Sequence, residues 1–172
     1  MHVTTDSSFL EQLTAITDGW DGSTERRYCH LCNVSALLNQ QLENINWVGF
    51  YLMTENRRVL VLGPFQGKVA CTDISLDRGV CGLAARSKES VRVDDVHTFP
   101  GHIACDSASM SELVVPLVSS SGDVVGVLDI DSAQRGRFSE DDQLLLERVA
   151  KIISGALWTV NRKGKCHLRK LL

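Results

Sequence analysis

The chain has 172 residues, 44% of them hydrophobic and 23% charged. Those figures fit one ordinary globular domain and exclude disorder, a collagen-like repeat or a coiled coil as whole-chain readings. The formal net charge is −3, but residues 162–172 hold five basic residues and no acid, which leaves −8 on residues 1–161. An acidic body argues against nucleic acid as the main partner, because phosphate binding needs a cationic face. Residues 1–161 therefore read as a single domain and residues 162–172 as a solvated basic tail. No apolar run is long enough to span a membrane. The first residues, MHVTTDSSFL, lack the basic and then apolar pattern of a secretory signal, so a cytoplasmic setting without membrane contact is expected.

The predicted elements follow in chain order. A first helix starts at Ser8, which forms a capping box with Glu11, and aligns Phe9, Leu13, Ile16 and Trp20. A second runs from Thr24 to Glu43 with Tyr28, Leu31, Ser35, Leu38 and Leu42 inward. Residues 46–54, NWVGFYLMT, alternate as a strand. Trp47, Gly49, Tyr51 and Met53 lie on one face, and Val48, Phe50 and Leu52 on the other. A turn at Glu55-Asn56-Arg57 leads into a hairpin partner, Arg58 to Phe65. Gln66 to Asp77 reads as loop, Gly79 to Lys88 as a short helix and Ser90 to Asp94 as a short strand. Asp95 to Ser109 has no period, and so long a loop in a compact domain is usually functional. Glu112 to Ser119 and Val124 to Asp131 form a second hairpin. Ser139 then caps a last helix, with Asp142 completing a capping box and Leu145, Val149, Ile152 and Ala156 inward. Hairpin-linked strands predict an antiparallel sheet with helices on one face and loops roofing the other.

The second hairpin carries the first chemical signal. In VVGVLDID, alternation places Val125, Val127, Asp129 and Asp131 on one face and Val124, Leu128 and Ile130 on the other. Aspartate is uncommon inside strands. Two acids at this spacing repel unless a cation or water lies between them. They read as an ammonium- or metal-binding pair, with Glu112 on the paired strand able to join them; the alternative is a strand that ends in solvent before a turn at Ser132-Ala133. Trp47 and Tyr51 share a strand face and are core residues unless that face lies under the loops.

Six cysteines form the second signal: Cys29, Cys32, Cys71, Cys81, Cys105 and Cys166. A chain of this size and composition has no need of a disulfide framework. Cys29 and Cys32 lie inside the second helix, away from the N-terminus where a redox pair gains acidity, so burial is expected. A zinc site joining them to His97 and His102 would be far more spread out than a compact finger. Cys166 lies in the tail. Cys71, Cys81 and Cys105 lie in or beside loops, where a thiol has access and a second thiol can resolve a sulfenic acid. Three unrelated free cysteines remain the alternative at this level.

The segments NWVGFY (46–51), GPFQGKVAC (63–71), GVCGLAA (79–85), VDDVHTFPGHIACDSASMSELVVP (93–116) and GDVVGVLDIDS (122–132) resemble the free methionine-(R)-sulfoxide reductases of the GAF fold. The resemblance covers residues 8–159. It implies an α/β (α+β) fold with a central antiparallel sheet of about six strands, helices on one face and a loop-roofed ligand pocket on the other. It implies reduction of free L-methionine-(R)-sulfoxide, recycled by thioredoxin, with no cofactor and no metal. It makes Cys105 the nucleophile and Cys71 the resolving thiol, with Cys81 as an alternative for either role. Trp47 and Tyr51 would line the methyl-sulfoxide end. Glu112, Asp129 and Asp131 would hold the substrate ammonium and help protonate the departing oxygen. Homodimers are common among such domains. The competing reading is a non-catalytic GAF sensor of small molecules.

Overall fold

The computed structural model describes residues 4–102 and 106–158. Cys105, Cys166 and the expected tail at 162–172 lie outside the described residues. The order is α1 (Thr4–Thr17), α2 (Thr24–Gln41), β1 (Trp47–Met53), β2 (Val59–Gly67), β3 (Asp73–Ser75), α3 (Gly79–Ser87), β4 (Val91–Val93), β5 (Ser111–Val118), β6 (Val124–Ser132) and α4 (Glu140–Leu157). A single 3₁₀ turn at Val96–Thr98 interrupts the loop between β4 and β5.

The strands form one sheet in the order β3-β2-β1-β6-β5-β4. Every neighbouring pair is antiparallel, as the hairpins require. Each face of the sheet carries an apolar cluster. On one face Val48, Phe50 and Leu52 of β1 join Leu113, Val115, Leu117, Leu128 and Ile130 of β5 and β6 beneath α1, α2 and α4. On the other, Trp47, Tyr51, Val114 and Val127 pack with Val80, Cys81, Ala84 and Ala85 of α3. Three helices therefore share a face, and α3 joins the loops on the opposite one. Gly82 permits that seat, because a Cβ there would lie 2.8 Å from the carbonyl oxygens of Ser75 and Leu76.

Several local expectations change. The first helix begins at Thr4, not Ser8. Ser8 lies inside it, and its Oγ accepts from Gln12 one turn on, an interior role that competes with capping. In α2, Leu31, Val34, Ser35 and Leu38 face the core, which turns Tyr28, Cys29 and Cys32 outward. The expected burial of both cysteines is therefore wrong: adjacent to an inward stripe in sequence, they point away from it at 100° per residue. The Gln66–Asp77 loop contains β3, a strand too short to express a period. A register shift near Val118 puts Val124 opposite it while Leu117 faces Gly126. Val125 bulges, so Val124 joins the α3 side and Val125 the other, the reverse of strict alternation. The α4 capping box forms as expected, with Ser139 Oγ accepting from the Asp142 amide. Its fully buried stripe is Leu146, Val149, Ala150, Ile153 and Leu157; Leu145, Ile152 and Ala156 are only half-buried beside it.

Candidate active site

The register of the central strands builds the site. Trp47 of β1 faces Asp131 of β6, which faces Glu112 of β5, which faces Val93 of β4. The next row with the same orientation is Gly49, Asp129 and Val114. Two rows thus bring Glu112, Asp129 and Asp131 together beside Trp47, all on the α3 face. Cys81, in the first turn of α3, lies over them: its sulfur and one carboxylate oxygen each from Glu112 and Asp129 all lie within 4.8 Å of one another.

This cluster is deeply buried, with Glu112 and Asp129 each 6% exposed and Cys81 3%. Burial raises the proton affinity of all three carboxyls well above the ordinary range. Asp131 adds to the effect on Glu112, Glu112 to that on Asp129, and Asp129 to that on Asp131. The Cys81 thiol is pushed up for the same reason, first by burial and then by the charges of Asp129 and Glu112. Oδ1 of Asp129 is buried without any hydrogen-bond partner. Such a group is costly to bury unless something completes it.

The rim behaves differently. Asp106 accepts from the Ala108 amide at 2.9 Å, from Asn46 Nδ2 at 3.3 Å and from Lys68 Nζ. The Ala108 bond leads the causes that lower its pKa, so the rim favours the carboxylate while the floor favours the protonated carboxyl. His102 Nε2 lies 3.2 Å from Glu112 Oε2. Burial pushes the imidazole toward neutral and the Glu112 carboxyl toward its protonated form. Both shifts disfavour an ion pair at this contact.

An aromatic wall closes the other side. The Trp47 ring stacks on Tyr51 at 5.8 Å and on Phe65 at 5.3 Å between centroids. Trp47 Nε1 donates to the Lys68 carbonyl and Tyr51 Oη to the Cys71 carbonyl, both at 3.1 Å. The wall therefore fixes the loop that carries Cys71, which is half-buried. The cleft over Cys81, His102, Glu112 and Asp129 encloses about 30 Å³. A second space of about 10 Å³ lies beyond Asp129 and Asp131 under Trp47 and Tyr51. Asp106, Asp129 and Asp131 line both, so their side chains divide one cleft. A wider groove of about 590 Å³ runs between α4 and the outer part of β5. It has no comparable buried acid cluster: its Lys88, Glu89 and Lys151 are exposed and Glu147 is half-buried.

Of the residues singled out in the sequence, Trp47, Tyr51, Cys81, Glu112, Asp129 and Asp131 converge on this cleft, and Cys71 borders it through its carbonyl. Cys29 and Cys32 lie on α2, across the sheet from His102, so the spread zinc set does not assemble. The contact of His102 with Glu112 and the rim formed by Asn46, Lys68 and Ser109 are additions. The available signal for His102 was its place three residues before Cys105 in GHIACD. Ser109 and Asn46 carried none, because only strand pairing and loop folding bring them to 3.0 Å.

A six-stranded antiparallel sheet with a ligand cleft between one face and an α3-loop roof defines a GAF domain, and the GAF domain family model matches residues 34–157. The chain is 50% identical over 133 residues to the free methionine-R-sulfoxide reductase of Escherichia coli (strain K12), covering 77% of this chain and 79% of that protein. It is 43% identical to the free methionine-R-sulfoxide reductase of Saccharomyces cerevisiae over 84% of this chain and 83% of that one. The structure of the free methionine-R-sulfoxide reductase from Neisseria meningitidis in complex with its substrate superposes with a TM-score of 0.80 at 40% identity, covering 91% of this chain and 92% of that one. The chain belongs to the free methionine-R-sulfoxide reductase family of GAF domains.

Proposed function

We propose that this protein reduces free L-methionine-(R)-sulfoxide to L-methionine. The observation that carries the reading is the unpartnered Asp129 Oδ1 within three buried carboxyls beside the Trp47–Tyr51 stack. A free amino acid has an ammonium to complete that oxygen, whereas a residue inside a peptide has none and would leave it unpaired. The aromatic wall suits the methyl and sulfur end of the same molecule.

In the proposed reaction the Cys105 sulfur attacks the sulfoxide sulfur while a protonated carboxyl, Glu112 or Asp131, donates to the sulfoxide oxygen. Methionine leaves, and the oxygen remains on Cys105 as a sulfenic acid. The Cys71 thiol then displaces it as water and closes a disulfide, so two thiols supply both electrons. Cys81 is the alternative partner, but its burial and the acids around it disfavour the thiolate. Thioredoxin would reopen the disulfide by thiol exchange. The assignment of Cys105 rests on the GHIACD motif. Such a cycle suits the cytoplasm, where thiols are kept reduced. Residues 1–161 would act as one domain, alone or as a homodimer, with residues 162–172 as an appendage.

The test is an epimer-resolved assay with dithiothreitol or thioredoxin as reductant. Consumption of only the R epimer of free methionine sulfoxide is expected. Consumption of both epimers, or of peptide sulfoxide alone, sinks the reading.

A further inference from the structure

We propose that Cys81, Glu112 and Asp129 form a zinc site, with His102 orienting Glu112, that shuts the cleft of the reduced protein against substrate. The site differs from the one the sequence pattern offered, since neither Cys29 nor Cys32 belongs to it. Its donors come from separate elements: Cys81 from α3, Glu112 from β5 and Asp129 from β6, while His102, from the loop before β5, stands beside Glu112. The sulfur and the two carboxylate oxygens lie within 4.8 Å of one another. Zinc bonds to nitrogen and oxygen of about 2.0–2.1 Å place neighbouring tetrahedral ligand atoms about 3.3–3.4 Å apart. His102 Nε2 lies 3.2 Å from Glu112 Oε2, a hydrogen-bond position from which it would orient that carboxylate.

A second observation points to a ligand. Asp129 Oδ1 has no partner, in a side chain that is 6% exposed. The space of about 30 Å³ over these side chains is large enough for an ion or a water. One thiolate and two carboxylates make a mixed donor set suited to zinc and unsuited to magnesium or calcium, which take oxygen ligands. Binding forms three coordinate bonds to the protein, leaves the fourth position to water and releases the ligands' protons to solvent, with no change of oxidation state. The ion would occupy the place assigned above to the substrate ammonium. Only the inhibitory consequence rests on the proposed function; the binding site itself does not.

The test titrates the reduced full-length protein with Zn2+ and, separately, with Co2+ as a coloured substitute. One equivalent should bind, with a thiolate-to-cobalt charge-transfer absorption. Cys81→Ser should abolish the absorption, and the Cys29→Ser/Cys32→Ser variant should keep it. His102→Gln and Asp129→Asn should each weaken zinc by about tenfold or more, a loss at least as large as that from removing an outer-shell partner. Absorption retained in Cys81→Ser, or lost in the α2 double variant, overturns the site. In the reductase assay, zinc should raise the apparent KM and leave kcat unchanged, with full reversal by a chelator. A fall in kcat at constant KM overturns closure of the cleft. A protein that binds one zinc through Cys81 but reduces no sulfoxide keeps the metal site and refutes the proposed function alone.

Discussion

Trp47 lies across the backbone of Gly49, so that a Cβ on Gly49 would sit 2.7 Å from the indole Cη2. The same Cβ would lie 2.3 Å from Cβ of Phe65. Two aromatic residues four apart on a strand would ordinarily stand about 13 Å apart. Their rings stack at 5.8 Å because the residue between them has no side chain. Gly49→Ala is therefore expected to destabilise the fold by about 1–3 kcal/mol, the usual range for overpacking. It should also raise KM for the sulfoxide by tilting the indole. Urea unfolding and steady-state kinetics read the two effects, and an unchanged KM would show that the ring stack does not contact substrate.

Cys105→Ser should abolish turnover with dithiothreitol, since the proposed chemistry begins at that sulfur. Cys29→Ser and Cys32→Ser should leave it unchanged, because both side chains are exposed on α2 across the sheet from the cleft. Loss of activity in the α2 variants, or its survival in Cys105→Ser, would overturn the division of the cysteines.

The buried carboxyls set a pH dependence of known sign. Glu112, Asp129 and Asp131 have folded pKa values raised above their unfolded ones. Folding therefore favours their protonated forms. Between the unfolded value, about 4, and the raised folded value, the native state binds more protons than the unfolded chain. Their contribution to stability falls as pH rises through that window. Asp129→Asn, which removes an ionisable group whose Oδ1 is unpaired, should raise Tm near neutral pH and lower activity at least tenfold. The gain in Tm should disappear near pH 4. A variant less stable than the parent at neutral pH, compared by calorimetry, would contradict this account.

Arg27 supplies a contrast far from the cleft. Its guanidinium lies 4.9 Å from the Trp20 ring centroid and 4.8 Å from that of Trp158, and its Nε donates to the Leu157 carbonyl. It joins the end of α1 to the C-terminus of α4. Arg27→Ala should lower stability by about 1–2 kcal/mol through lost stacking and a lost charged hydrogen bond. Denaturant midpoints should fall while kcat/KM for any cleft ligand stays constant.

How much was legible in the sequence depended on the length of each pattern. In β1, alternation over seven residues sorted Trp47 and Tyr51 from Val48 and Phe50 without error. In β3, three residues gave no period to read. The inward Leu31 and Leu38 of α2 were legible, but Cys29 and Cys32 were not, since small apolar residues fit either face of a helix. The Val125 bulge was invisible because it depends on what β5 places opposite it.

The sequence by itself determined the antiparallel sheet, the α4 cap and the pairing of Asp129 with Asp131, because strand alternation, hairpin turns and capping are local. Through its motifs it also pointed to the family. Tertiary structure decided which acids share an environment and how strongly. Glu112 meets Asp131 only through the pairing of β5 with β6, and Cys81 meets them only because α3 packs on that face. Their raised proton affinities follow from burial and mutual charge, which are properties of distance in space rather than of spacing along the chain.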